Sequence, residues 1–282
     1  MEMEYIDLYT LQSRLKLGLE DLFPEKLWVR AEIASVSVKA NGHCYLDLSQ
    51  NDSGGISARA KAVIWRSRYY QLNQFFVAAT GSSLQAGMSV LVRVQVTYSE
   101  LYGLTLVIDD LDPQFTLGEQ ELEKRRTIAR LEAEGLLGRQ KSLEPAARPY
   151  APARPPAPAA LPYALAVVTA RDAAGYGDFH RHLHGNEYGF VFRTDLFEAT
   201  MQGPTAPESI VDAIDRIESS DTRYDAILIM RGGGSVLDLA CFDDYGLCWR
   251  IAQCPVPVYT AIGHDRDHHV ADMVAYSYVK TP

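Results

Sequence analysis

The chain has 282 residues, 47% of them hydrophobic and 10% aromatic, which allows about two ordinary cores and excludes a disordered protein. A formal net charge of -9 excludes a protein that coats duplex nucleic acid by bulk electrostatics, though not one with a local basic groove. With no signal-peptide pattern at MEMEYIDLYT, no membrane-length apolar run and no Cys-x-x-Cys pair among Cys44, Cys241, Cys248 and Cys254, a cytoplasmic protein with reduced, buried thiols is expected.

Leu11, Leu15, Leu19 and Leu22 recur at helical spacing between Tyr9 and Phe23, and Pro24 ends the pattern. From Leu27 to Pro113 the period changes to two. LWVRAEIASVSV, HCYLDLSQ, ARAKAVIW, SVLVRVQVTYSE and LTLVIDDLDP are short alternating runs separated by glycine-containing turns. Five such strands predict a small closed barrel, with the OB-fold as the leading candidate because its open face commonly binds single strands. Trp28, Arg30, Tyr45, Arg59, Lys61, Trp65, Arg66, Arg68 and Tyr69 interleave base with aromatic and are the candidate stacking and phosphate-binding groups. The competing structural explanation is that Trp28 and Tyr45 fill the barrel while the cations form a solvated face.

Residues Leu117 to Leu137, including EQELEKRRTIARLEAEGLL, predict a charged helix whose Lys124, Arg125, Arg126 and Arg130 either track a phosphate backbone or simply face solvent. EPAARPYAPARPPAPAALP follows, and its prolines forbid both helix and sheet, so it is expected to be a semi-rigid linker. Beyond it the runs YALAVVTA, GFVFRTDLFEATM, ILIM and VPVYTA alternate with helical patterns, among them Ile210, Ile214 and Ile217 in phase. That alternation predicts an α/β domain with a mostly parallel sheet. The expected organisation is multidomain, α/β plus all-β: helix and barrel over 1–116, charged helix and linker over 117–162, and α/β domain over 163–282.

The polar turns after those strands carry the candidate chemistry. At Arg231-Gly232-Gly233-Gly234-Ser235 three glycines let backbone N–H groups approach an anion, and Arg231 can fork two phosphate oxygens. A plain strand-to-helix turn with a surface arginine would read the same way. The loop is neither a P-loop nor a dinucleotide fingerprint, which disfavours a nucleotide-binding enzyme. Gly263-His264-Asp265-Arg266-Asp267 sets an imidazole and a carboxylate three apart, so that the acid can orient a proton-transferring histidine. His268 and His269, and the alternating His180, His182 and His184, invite a metal reading, but the latter set matches no familiar zinc spacing and surface histidines are common, so no metal site is assigned.

LWVRAEIASV with GHCYLDL, VTYSELYGLTLVI, EAEGLL, VVTARDAAGYGD, MQGPTAPESIVDAI, RGGGSVLDLACFDD and IGHDRDHHVADMVA, in that order and spacing, resemble the large subunit of bacterial exonuclease VII over nearly the whole chain. The resemblance implies a nuclease that degrades single-stranded DNA from its ends to short oligonucleotides, with no cofactor and no strict need of a divalent metal. It places the essential positions on Asp178, Arg231, His264 and Asp267, with Gly232, Gly233, Gly234 and Ser235 as phosphate-binding groups and Asp238 and Asp272 in support. It also implies a small-subunit partner, received by a long helical region that continues past the point matching Pro282. This sequence departs from the pattern at Leu237, where the family has Glu, at Asp243 for Asn, at Ala173 for Gly, and from Tyr276 to Pro282. Those departures keep open a second reading, a single-stranded-DNA-binding or regulatory module of the same fold that has lost turnover.

Overall fold

The computed structural model describes residues 5–52, 55–143, 163–263 and 268–279. The chain divides into two units, 1–120 and 121–282. The first opens with helix α1 (Leu8–Leu22), capped by Asp7, whose carboxylate accepts the Thr10 N–H at 2.7 Å. Strands β1 (Leu27–Val38), β2 (Cys44–Asp52), β3 (Gly55–Ile64), β4 (Ser89–Ser99) and β5 (Gly103–Asp112) follow, with helix α2 (Arg66–Thr80) between β3 and β4. They close into a barrel in the order β1-β2-β3-β5-β4. All described pairings are antiparallel except that of β3 with β5, where Ala62 faces Leu106. This is the OB-fold expected from the alternation.

The register follows from the period of two. Cys44, Leu46 and Leu48 of β2 point inward and are buried, as are Val90, Val92 and Val94 of β4, so a slip of one residue would expose each set. Helix α2 was not anticipated. It buries Leu72, Phe76 and Thr80 at intervals of four and ends at Gly81, whose φ of 78° gives the left-handed cap that returns its N–H to Val77. Arg66, Arg68 and Tyr69 therefore stand on the first turn of a helix rather than on a strand.

Helix α3 (Pro113–Ala133) starts and ends about one turn earlier than the sequence pattern suggested, with proline at its first position. The second unit then holds β6 (Ala164–Thr169), α4 (Ala174–His184), β7 (Arg193–Glu198), α5 (Ala206–Glu218), β8 (Ala226–Arg231), α6 (Val236–Leu239), α7 (Tyr245–Gln253), β9 (Val258–Ile262), α8 (Val270–Val274) and β10 (Ser277–Tyr278). The strand order is β10-β9-β8-β6-β7, and every described pairing is parallel. Val168, Ile227, Ile229 and Val258 pack on Ile210, Ile214 and Ile217 of α5 and on Leu247 and Ile251 of α7. Val167, Met230 and Ala261 meet Tyr176 and Phe179 of α4. The short strand β10 was not foreseen, and β7 occupies only six residues of its longer apolar run.

This order places a topological switch between β6 and β8: the chain leaves β6 to β7 on one side, then returns to β8 on the other. In open α/β sheets that arrangement opens a crevice outside the carboxyl ends of the two strands. The end of β6 is tied to β8 there, since Thr169 Oγ1 donates to the Met230 carbonyl at 2.8 Å.

Candidate functional site

Arg231 is the last residue of β8 and lies at this switch. Its Nε donates to the Met201 carbonyl at 3.2 Å and its Nη2 to Gln202 Oε1 at 3.0 Å. Nη1 donates to the carbonyls of Gly233 at 3.2 Å and Gly232 at 3.4 Å. Met201 and Gln202 follow β7, which is two strands from β8, so the side chain bridges the end of β6. A guanidinium gripped in this way is oriented before any anion arrives, and preorganised charge of that kind is what a phosphoryl transition state requires.

None of Gly232, Gly233 and Gly234 has a positive φ, so the glycines supply space rather than a left-handed turn. A Cβ on Gly232 would meet nothing within 4 Å, whereas one on Gly234 would lie 3.3 Å from Arg231 Nη2 and 3.4 Å from Asp238 Cβ. Ser235 is the N-cap of α6. Its Oγ accepts the Asp238 N–H at 3.1 Å, and its own N–H donates to Asp238 Oδ2 at 3.2 Å. Ser235 and Asp238 thus shape the loop through a capping box. Leu237, at the position where the resemblance has a carboxylate, is buried. Burial pushes the nearby Cys241 thiol up to about 12, although the charge of Arg231 pulls it down.

Strand β9 lies beside β8, with Ile262 opposite Arg231 and the Gly263 N–H donating to the Arg231 carbonyl at 3.1 Å. His264 and Asp267 lie outside the described residues. Asp272 is buried on α8, where its Oδ1 accepts Thr260 Oγ1 at 2.6 Å and its Oδ2 the His269 N–H at 3.0 Å, so it joins α8 to β9. Asp178 is an exposed residue of α4 and pairs with Arg181 of the same helix at 3.2 Å. Among the described residues no group of three or more His, Cys, Asp or Glu is placed to hold a metal ion.

In the first unit the structure divides the predicted strand-binding set. Tyr45 and Trp65 are each about two-fifths exposed and flank His43, whose ring meets Trp65 edge-on at 4.9 Å between centroids and Tyr45 at 6.4 Å. His43 Nδ1 also accepts the Arg66 N–H at 2.9 Å. Lys61 pairs across from Asp47 and Arg59 from Ser49, on the outward face that carries Tyr45. Trp28 stands apart, opposite Arg93, whose guanidinium lies 5.7 Å above the indole. Arg30 is committed to Glu119 at 2.6 Å, and Arg68 donates to the Asp109 carbonyl at 3.0 Å. Burial pushes the Asp109 carboxyl up, but hydrogen bonds and charge from Lys26 and Arg93 outweigh it and hold the acid below its ordinary value. His43, just before β2, was missed by the sequence reading, though its place two residues before Tyr45 in the alternating run HCYLDLSQ was the available signal.

Residues 151–282 match the family model described as Exonuclease VII, large subunit, and residues 6–112 match that of an OB-fold nucleic acid binding domain. The chain is 34% identical over 268 residues to the exodeoxyribonuclease 7 large subunit of Deinococcus radiodurans, covering 92% of this chain and 61% of that protein. It is 35% identical over 274 residues to that of a Nostoc species, covering 96% and 60% respectively. The chain is thus similar to the exonuclease VII large subunit over residues 151–282 and to an OB-fold nucleic acid binding domain over residues 6–112. It spans about three-fifths of the length of these two relatives. No helix among the described residues is long and apolar enough to cross a membrane.

Proposed function

We propose that this chain carries the strand-binding and phosphodiesterase parts of an exodeoxyribonuclease that hydrolyses single-stranded DNA to short oligonucleotides in the cytoplasm, with no metal or other cofactor required. The observation that carries the reading is Arg231, gripped at the switch point of a parallel sheet in the segment that matches the exonuclease VII model. Its guanidinium and the open backbone at Gly232 offset the charge that builds on the phosphoryl group. His264 takes a proton from the attacking water or gives one to the leaving oxygen as the P–O bond breaks, with Asp267 orienting the ring. Asp178 positions the water or the histidine, while Asp238 and Asp272 hold the surrounding turns. The barrel presents the strand to stacking groups at Tyr45 and Trp65. The relatives' designation as a large subunit favours a small-subunit partner.

The test is labelled single-stranded DNA incubated with the chain in EDTA, beside His264→Ala. Cleavage by the wild type, reduced about 1,000-fold or more in the variant, is the expected result. Binding without cleavage at every pH and metal condition tried would overturn it in favour of a module that binds strands without turnover. The buried Leu237 is the feature that favours that second reading.

A further inference from the structure

His269 is only 6% exposed, and neither of its ring nitrogens has a hydrogen-bond partner. Its Nδ1 lies 3.5 Å from Oδ2 of Asp243, the last residue of the 3-10 turn Ala240–Asp243 that follows α6. The other oxygen of Asp243 accepts the Val270 N–H at 2.7 Å and lies 3.6 Å from Lys124 Nζ. Lys124 in turn donates to the His268 carbonyl. Asp243 thus reaches from the chain descending from the Arg231 loop to the amino end of α8, where it satisfies a backbone donor that the helix leaves free.

We propose that Asp243 is a positioning residue for the amino end of α8: it accepts the Val270 N–H, with Lys124 as its charge partner and the His269 ring packed beside it. The bond from Gly263 to the Arg231 carbonyl holds the chain just after β9. Residues 264–267 are therefore bracketed in sequence by two anchors, each made to the stretch of chain that carries Arg231. A part-buried carboxylate needs such partners, because removing one leaves a charge or a donor uncompensated. The proposal rests on the nuclease reading, since His264 and Asp267 are the groups that the bracket would serve.

Amide exchange on the 282-residue chain reads the anchor directly. Asp243→Ala removes the acceptor of the Val270 N–H, and exchange across residues 268–272 is expected to rise roughly tenfold or more while β6 and β8 keep theirs. Asp243→Asn retains an oxygen that can accept that N–H, so its exchange stays within about threefold of wild type. Steady-state cleavage of single-stranded DNA reads the consequence: the alanine variant loses kcat about 10- to 100-fold with KM nearly unchanged, and the asparagine variant recovers most of it. Unchanged exchange in Asp243→Ala, unchanged kcat in that variant, or a rise in exchange across the whole second unit would each overturn the proposal. A wild-type chain that cleaves nothing sinks the nuclease reading instead, while the exchange result still decides whether the anchor exists.

Discussion

Gly232 and Gly234 sit two residues apart in one loop and differ in what a methyl group would meet. At Gly234 the added carbon presses on Arg231 Nη2 at 3.3 Å, so the guanidinium must yield by a few tenths of an ångström. At Gly232 it enters open space. Gly234→Ala is therefore expected to lower kcat about tenfold by misplacing Arg231. Gly232→Ala should change unfolding free energy by only about 0.5 kcal/mol, yet raise KM because the methyl group occupies the approach to the backbone. Denaturant melts and kinetics on the two variants check this. Equal and normal kinetics in both would show that no anion uses the loop. Arg231→Lys is not a conservative change either: the fork serves acceptors from Met201, Gln202, Gly232 and Gly233, which one ammonium cannot reach together.

The elements of the second unit are joined by Gln140, a fully buried side chain on the 3-10 turn Gln140–Ser142 after α3. Its Nε2 donates to the carbonyls of Ile251 at 3.0 Å and Cys254 at 2.7 Å, and its Oε1 accepts the Val258 N–H at 2.9 Å, so it pins the end of α7 to the start of β9. Gln140→Ala strands those backbone groups in the core and should cost about 2–4 kcal/mol in urea unfolding; a loss below about 1 kcal/mol would mean that water replaces the amide. Nothing near Gln140 in the sequence announces this, because its partners lie more than a hundred residues away. The barrel strands and β6, β8 and β9 were legible, since alternation or a short β-branched run is a local signal. Helix α2 was hidden among the polar residues of RSRYYQLNQFF, and β10 exists only through its pairing with β9. Arg231 could be singled out as the polar residue ending an apolar strand. Its grip by Met201 could not, because that contact depends on the order of strands in the sheet.

For the whole molecule, a net charge of -9 makes bulk attraction to DNA unfavourable, so the proposed strand binding draws on a small part of its surface. On the barrel, Arg30 is paired with Glu119 and Arg93 with Asp109 and Asp110, whereas Arg59, Lys61 and Arg66 are exposed on or beside the face carrying Tyr45 and Trp65. Three such cations at about 0.7 counterion each predict a slope near -2 for log K against log salt with single strands. With so shallow a slope, the proposed strand binding requires stacking to supply most of the affinity. Tyr45→Ala and Trp65→Ala are each expected to weaken binding by about 1–3 kcal/mol without changing the slope. Arg59→Ala should flatten the slope by about 0.7 with a smaller loss at high salt. Fluorescence anisotropy with a labelled oligothymidylate across a salt series measures both quantities. A wild-type slope steeper than about -4 would require cations outside this face and would remove the barrel from the centre of strand recognition.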